Sequence, residues 1–138
     1  MTLHTSGEDY LKAIYILQKD KGIVRSIDVA ERMGVSKPSV SHAVKLLREG
    51  DFITMDDDYT LHLTELGREI AEKLYERHQY FTEQLTVAGV DVTTADVEAC
   101  KMEHTISDES FRKLKEQKQR ICPFVDSCDL KQGKQQGS

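Results

Sequence analysis

The sequence predicts a mainly α protein, with an N-terminal winged helix-turn-helix over residues 1–63 and a second helical unit after it. Three observations predict it. Apolar residues recur at helical steps of three and four almost throughout, and the period changes only over Asp51–Leu63, where two β-prone runs flank three aspartates. A short helix, a glycine turn and a second helix stand directly before that change. Later, Cys100, Glu103 and His104 fall at i, i+3 and i+4, so a helix puts a thiol, a carboxylate and an imidazole on one face.

The elements follow in order. Ser6 is the expected N-cap of a first helix with Asp9 three residues on, and Leu11, Ile14, Tyr15 and Leu17 form its apolar face to about Asp20. Lys21-Gly22 ends it. Ser26 should cap a short helix with Ile27, Ala30 and Met33 inward, and Gly34-Val35 turns the chain. Ser36 should cap the next helix, with Pro38 in its first turn, where a missing N–H is harmless. Val40, Val44 and Leu47 are its buried side. Phe52–Met55 and Tyr59–Leu63 then read as a hairpin with Asp56, Asp57 and Asp58 at the tip, which completes a winged helix.

Thr64 starts a long helix over 64–88, with Leu66, Ile70, Leu74, Phe81, Leu85 and Ala88 on one stripe and His78 filling its gap. Gly89 marks its end. Thr93 precedes the Cys100 helix, and Asp96, three residues on, suits either capping or ligation. A last helix runs from Ser107 to about Lys118, with Phe111 and Leu114 apolar. Residues 119–138 form a tail, expected to be disordered over the polar Lys131–Ser138.

Composition bounds what such a chain does. It has 138 residues, 38% of them hydrophobic, and a net charge of −5. No apolar run is long enough to span a bilayer and no secretory signal opens the chain, so a cytoplasmic protein is expected. Three cysteines, an odd number, argue against a disulfide framework, and Cys122 and Cys128 are too far apart for a common zinc pair.

In an acidic chain, the stretch Ser36–Arg48 holds no acidic residue. Lys37, His42 and Lys45 are basic or become so, and Ser36, Ser39 and Ser41 are small donors that let a helix approach DNA closely. The expected DNA contacts are Arg25, Ser36, Lys37, Pro38, Ser39, Ser41, His42 and Lys45. The three aspartates should keep the wing near the phosphate backbone without deep insertion. An ordinary solvated helix face is the simpler reading, and the turn beside it tips the balance toward duplex DNA.

Soft, hard and borderline donors together at Cys100, Glu103 and His104 are metal-ligand chemistry. One helix cannot close a coordination shell. Asp9 and His78 are the expected additional ligands, with Asp96 on the same stripe as a further one. Asp9 serves equally well as an acid near a helix N-terminus, and His78 as a core histidine.

With these pieces in order, the sequence resembles the diphtheria toxin repressor and manganese transport regulator family over roughly Ser6–Lys118. The marks are Glu8-Asp9-Tyr10-Leu11, Ser36-Lys37-Pro38-Ser39-Val40-Ser41, Arg77-His78, and Cys100-x-x-Glu103-His104 followed by Ile106-Ser107-Asp108-Glu109. The resemblance implies a dimeric repressor of metal-uptake genes, activated by Fe²⁺ or Mn²⁺, with a helical dimerisation and metal-binding domain over 64–118 and a palindromic operator. Other divalent transition metals should substitute in vitro. Cys100, Glu103 and His104 match the iron type, and Asp9 matches the manganese type. His78 matches a ligand of both. Lys12 departs from the manganese type, which carries a glutamate ligand there, and Thr82 and Asp96 depart from the iron type.

An enzyme is not expected. A metal hydrolase needs a general base beside a bound water, and nothing besides the ligands fills that role. No small organic substrate is expected either. The alternative is a winged-helix regulator switched by an organic ligand or by oxidation of Cys100.

Overall fold

The computed structural model describes residues 3, 5–121, 131–132 and 134–135. The elements are α1 (Thr5–Lys21), α2 (Ser26–Met33), α3 (Lys37–Glu49), β1 (Ile53–Met55), β2 (Leu61–Leu63), α4 (Glu65–Val87), α5 (Val92–Met102) and α6 (Asp108–Ile121). Two short strands, β3 (Lys131–Gln132) and β4 (Lys134–Gln135), pair antiparallel near the end of the chain. The chain divides into two compact units, one up to His104 and one from Thr105 onward. No described helix is long and apolar enough to cross a membrane.

Helix α1 is the axis of the first unit. Its residues 10–15 are all buried, because α2, α3, β2 and α4 all pack on it. Leu11, Ile14 and Leu17 form the expected apolar face. Tyr15 meets Tyr75 of α4 edge-on at 5.7 Å between centroids, and the Lys19 ammonium stands over both rings. The helix begins at Thr5, so Ser6 lies inside its first turn and is not the N-cap.

The helix-turn-helix forms as expected, with one change of cap. Arg25, not Ser26, is the N-cap of α2, and Asp28 closes a capping box by accepting from the Arg25 backbone N–H at 2.8 Å. That one-residue shift turns Ile27 outward, 44% exposed, and buries Val29 beside Ala30. Gly34 takes the left-handed conformation, φ 68°, that ends α2. In α3, Ser36 caps the first turn by accepting from the Ser39 N–H, and Val40, Val44 and Leu47 are buried. Burying each such aliphatic side chain contributes about 1.5–3 kcal/mol.

The wing is an antiparallel pair with Ile53 opposite Leu63 and Met55 opposite Leu61. The Leu61 N–H bonds to the Val24 carbonyl, which ties the wing to the loop before α2. Thr64 caps α4 by accepting from the Gly67 N–H. Gly67 is required there, since a Cβ would meet the Phe52 carbonyl oxygen at 2.1 Å. The long helix buries Ala71, Leu74 and Phe81, while Leu66 at its start is 46% exposed. Gly89, φ 102°, turns the chain from α4 to α5.

In the second unit, the Ser107 hydroxyl accepts from the Ser110 N–H at the start of α6, and Phe111 is buried. The helix runs three residues past the expected end at Lys118, because intrahelical hydrogen bonding outlasts the apolar period. Cys122 and Cys128 lie outside the described residues.

Candidate functional site

Four donors converge where α1 meets α5. One ligand atom each from Asp9, Cys100, Glu103 and His104 lies within 4.8 Å of the others. Asp9 comes from the first turns of α1, and its Oδ1 meets both Cys100 Sγ and His104 Nε2. Cys100 lies in the last turn of α5, Glu103 is its C-cap residue, and His104 follows directly. Ala95 and Ala99, both fully buried, bring this helix close to its neighbours.

The geometry fits one transition-metal ion. Metal–ligand bonds of about 2.0–2.3 Å put opposite donors about 4–4.6 Å apart. Small side-chain rotations close the difference. The donor set of one thiol, one imidazole and two carboxylates suits first-row divalent ions and disfavours calcium and magnesium, which take oxygen alone. Burial pushes the Cys100 thiol up, the Lys12 ammonium opposes this, and the charges of Glu103 and Asp9 add to the rise. A metal replaces that thiol proton on binding.

Short contacts link the donors of the cluster to one another and to their neighbours. His104 sits between two carboxylates, with Nδ1 at 2.7 Å from Glu8 Oε1 and Nε2 at 2.8 Å from Asp9 Oδ1. The Cys100 thiol donates to Asp9 Oδ1 at 3.9 Å. Glu103 is 0% exposed, and Lys12 Nζ donates to its Oε2 at 2.6 Å. Lys12 Nζ also lies 3.6 Å from Cys100 Sγ.

His78 and Asp96 form a second lobe that shares Glu103. His78 Nδ1 lies 2.9 Å from Glu103 Oε1, and its Nε2 lies 2.7 Å from Asp96 Oδ1. The Glu103 contact raises the His78 pKa above its ordinary value of 6.5, burial opposes this, and Asp96 adds to the rise. Asp96 does not cap α5. Asp91 does, accepting from the Thr93 and Thr94 N–H groups, two residues before the expected cap at Thr93.

Sequence reasoning missed Glu8 and undervalued Lys12. Glu8 reads as a helix-start acid, and only the fold shows His104 against it. Lys12 carried a signal: a lysine between Leu11 and Ile14 on a helix buried on several sides needs a partner.

The expected nucleic-acid residues form one solvent-facing surface. Arg25, Ser36, Lys37, Pro38, Ser39, Ser41, His42 and Lys45 are all exposed. Ser36 Oγ is occupied by capping and donates to Ser39 Oγ at 2.9 Å, which leaves Ser39 its own proton to donate outward. Arg25 reaches the wing tip, where its Nε donates to the Asp58 carbonyl at 3.1 Å and its guanidinium stands 3.6 Å from the Asp58 carboxylate. His62 lies 2.7 Å from Asp56. Of the three wing-tip acids, Asp58 is therefore offset by a guanidinium, and Asp56 is in contact with an imidazole.

Comparison with known proteins matches both halves of the chain. Residues 2–58 match the iron dependent repressor N-terminal DNA binding domain. Residues 64–126 match the iron dependent repressor metal binding and dimerisation domain. The diphtheria toxin repressor of Corynebacterium diphtheriae is 32% identical over 108 residues, 78% of this chain and 48% of that protein. The transcriptional regulator MntR of Shouchella clausii is 33% identical over 109 residues, 79% of this chain and 76% of that protein. Among solved structures, the manganese regulator SloR superposes with a TM-score of 0.72 at 31% identity, covering 91% of this chain and 56% of that one. The chain thus spans about half the length of the diphtheria toxin repressor it matches.

Proposed function

This chain belongs to the iron-dependent repressor family, and from that membership we propose that it is a metal-activated, homodimeric transcriptional repressor of metal-uptake genes. In this reading residues 1–63 bind a palindromic operator in the cytoplasm, and residues 64–118 bind metal and dimerise. The observation that carries it is the origin of the four donors: Asp9 stands on α1, the helix that underlies the helix-turn-helix, and Cys100, Glu103 and His104 stand on and after α5.

A divalent ion bound here would supply positive charge that draws a carboxylate of α1 and the donors of α5 together. Asp9 then fixes α1 against α5, and α1 carries α2 and α3 with it through the shared core of Leu11, Val40 and Val44. In a dimer, fixing α3 in each protomer sets the distance between two recognition helices, and a half-site spacing of ~34 Å is what a palindrome requires. Only a difference in metal affinity between the docked and undocked arrangements biases that equilibrium. Lys37, Ser39, Ser41, His42 and Lys45 present donors and positive charge to the groove and backbone. Arg25 holds the wing tip and offsets Asp58.

Fe²⁺ is the favoured activator, since a thiolate suits it, and Mn²⁺ is close behind because Asp9 is an oxygen donor. Fluorescence anisotropy of labelled operator DNA tests the reading, with Mn²⁺, Fe²⁺ or chelator under anaerobic conditions. Affinity should rise on metal addition and fall on chelation. Equal affinity under all three conditions defeats it.

A further inference from the structure

We infer that Lys12 is a resident cation of this acidic junction, which limits each protomer to one divalent metal ion and lowers the affinity of that one site. The inference rests on the metal reading above and concerns a residue that is not itself a ligand.

Glu103 carries the argument. It is the one carboxylate of the cluster with no solvent exposure, and both of its oxygens are engaged. Lys12 Nζ is 2.6 Å from Oε2, and His78 Nδ1 is 2.9 Å from Oε1. A buried carboxylate needs a compensating positive charge, and Lys12 supplies it from a helix 91 residues away in sequence. The same ammonium stands 3.6 Å from Cys100 Sγ. Two of the four donors in the cluster therefore already face a positive charge that is covalently part of the chain.

Two consequences follow from placement. Filling the inner lobe of Asp9, Cys100, Glu103 and His104 requires Glu103 Oε2 to leave Lys12 or to share itself. A tethered ammonium never diffuses away, so this competition is present at every metal concentration. The outer lobe of His78 and Asp96 depends on Glu103 as its third donor among the described residues. A second divalent ion on Glu103 would stand beside both the first ion and the Lys12 ammonium, at separations where like charges repel strongly even in a partly screened site. Lys12 thus takes the place of a second ion.

The test measures Co²⁺ bound to the full chain, anaerobically, by native mass spectrometry, with affinity from competition against a chromogenic chelator. Wild type, Lys12→Met and Lys12→Glu are compared after circular dichroism confirms folding. Wild type should bind one Co²⁺ per protomer. Lys12→Met should also bind one, at least about tenfold more tightly, because the competing charge is gone. Lys12→Glu, which reverses the charge and adds a donor, should bind two. Two ions in wild type overturn the inference, as does an affinity in Lys12→Met that is unchanged or weaker, or a single ion in folded Lys12→Glu. If Lys12→Glu does not fold, the wild-type count and the Lys12→Met affinity decide. Zero ions in wild type is a distinct outcome that overturns the metal reading and this inference with it.

Discussion

Glu8 and His104, 96 residues apart in sequence, meet at 2.7 Å between Oε1 and Nδ1. This pair orients the imidazole. With Glu8 keeping the Nδ1 proton, the other nitrogen faces Asp9 and Cys100, where a metal lone-pair donor is needed. Partners of this kind fix the tautomer and basicity of ligating histidines, and losing one typically lowers metal affinity about 10–100-fold. Glu8→Gln retains an acceptor but loses the charge, and should weaken Co²⁺ or Mn²⁺ binding toward the lower end of that range. Glu8→Ala should reach the upper end. Titration by competing chelator measures both, and equal affinities in all three proteins would assign Glu8 to helix-start electrostatics alone.

Helix α3 separates affinity from sequence preference. Lys45 is exposed on the face free of acidic residues, and His42 stands one turn earlier. Lys45→Ala should weaken binding to operator and unrelated duplexes alike, and should reduce the salt slope of log affinity by about one. His42→Ala should relax preference at one base position, worth about 1–3 kcal/mol of discrimination, with little change on unrelated DNA. Anisotropy titrations at several salt concentrations, on operator and scrambled duplexes, separate the two. A footprint sensitive to Lys45 but indifferent to His42 reverses the roles.

The winged helix and the shared face of Cys100, Glu103 and His104 were legible because short-range patterns encode them. Ser36 with Pro38 marks a cap, Asp56–Asp58 marks a hairpin tip, and Cys100, Glu103 and His104 share one helical face. Pairings across long sequence separations were not legible. Nothing near Glu8 announces His104, and nothing near Gly67 announces the Phe52 carbonyl that a Cβ there would strike. Cap shifts of one or two residues had larger effects. A cap at Ser26 instead of Arg25 would turn Ile27 inward, and a cap at Thr93 instead of Asp91 would give Asp96 a capping role that Asp91 fills. A step of one residue is 100° of helix, so a small error in the start changes which face is buried.

The Asp28 capping box holds the first helix of the DNA-binding motif, and its contribution depends on charge. The hydrogen bond from Lys21 Nζ at 2.5 Å, then that from the Arg25 N–H, hold the Asp28 carboxyl below its ordinary value of 3.8. A depressed carboxyl contributes stability that is present above the unfolded value and lost as pH falls through the folded one. Asp28→Ala should therefore destabilise the protein by about 1 kcal/mol near neutral pH. The gap from wild type should narrow as pH drops below 3.8. Urea unfolding of both proteins in chelator across this range measures it, and a gap that is constant with pH would mean that the carboxylate charge adds nothing to the cap.

Selectivity between metals should turn on one side chain. Cys100 offers the only sulfur among the four converging donors, and Asp9, Glu103 and His104 suit manganese and iron alike. Its half-buried thiol holds its proton more tightly than usual, so a weakly thiophilic ion such as Mn²⁺ competes poorly for it. Fe²⁺ and Co²⁺ gain more from the sulfur and displace that proton more readily. Cys100→Glu exchanges the thiol for a carboxylate that ionises well below neutral pH. The variant should raise the operator-binding response to Mn²⁺ relative to Fe²⁺, read anaerobically at matched free-ion concentrations. Co²⁺-loaded wild type should show a near-ultraviolet thiolate-to-cobalt charge-transfer band, and the variant should lose it. The band tests whether Cys100 ligates, and the ratio tests whether ligation sets preference. A band that disappears while the ratio stays fixed would make Cys100 a ligand without influence on selectivity, and selectivity would then have to come from the geometry that Asp9, Glu103 and His104 impose.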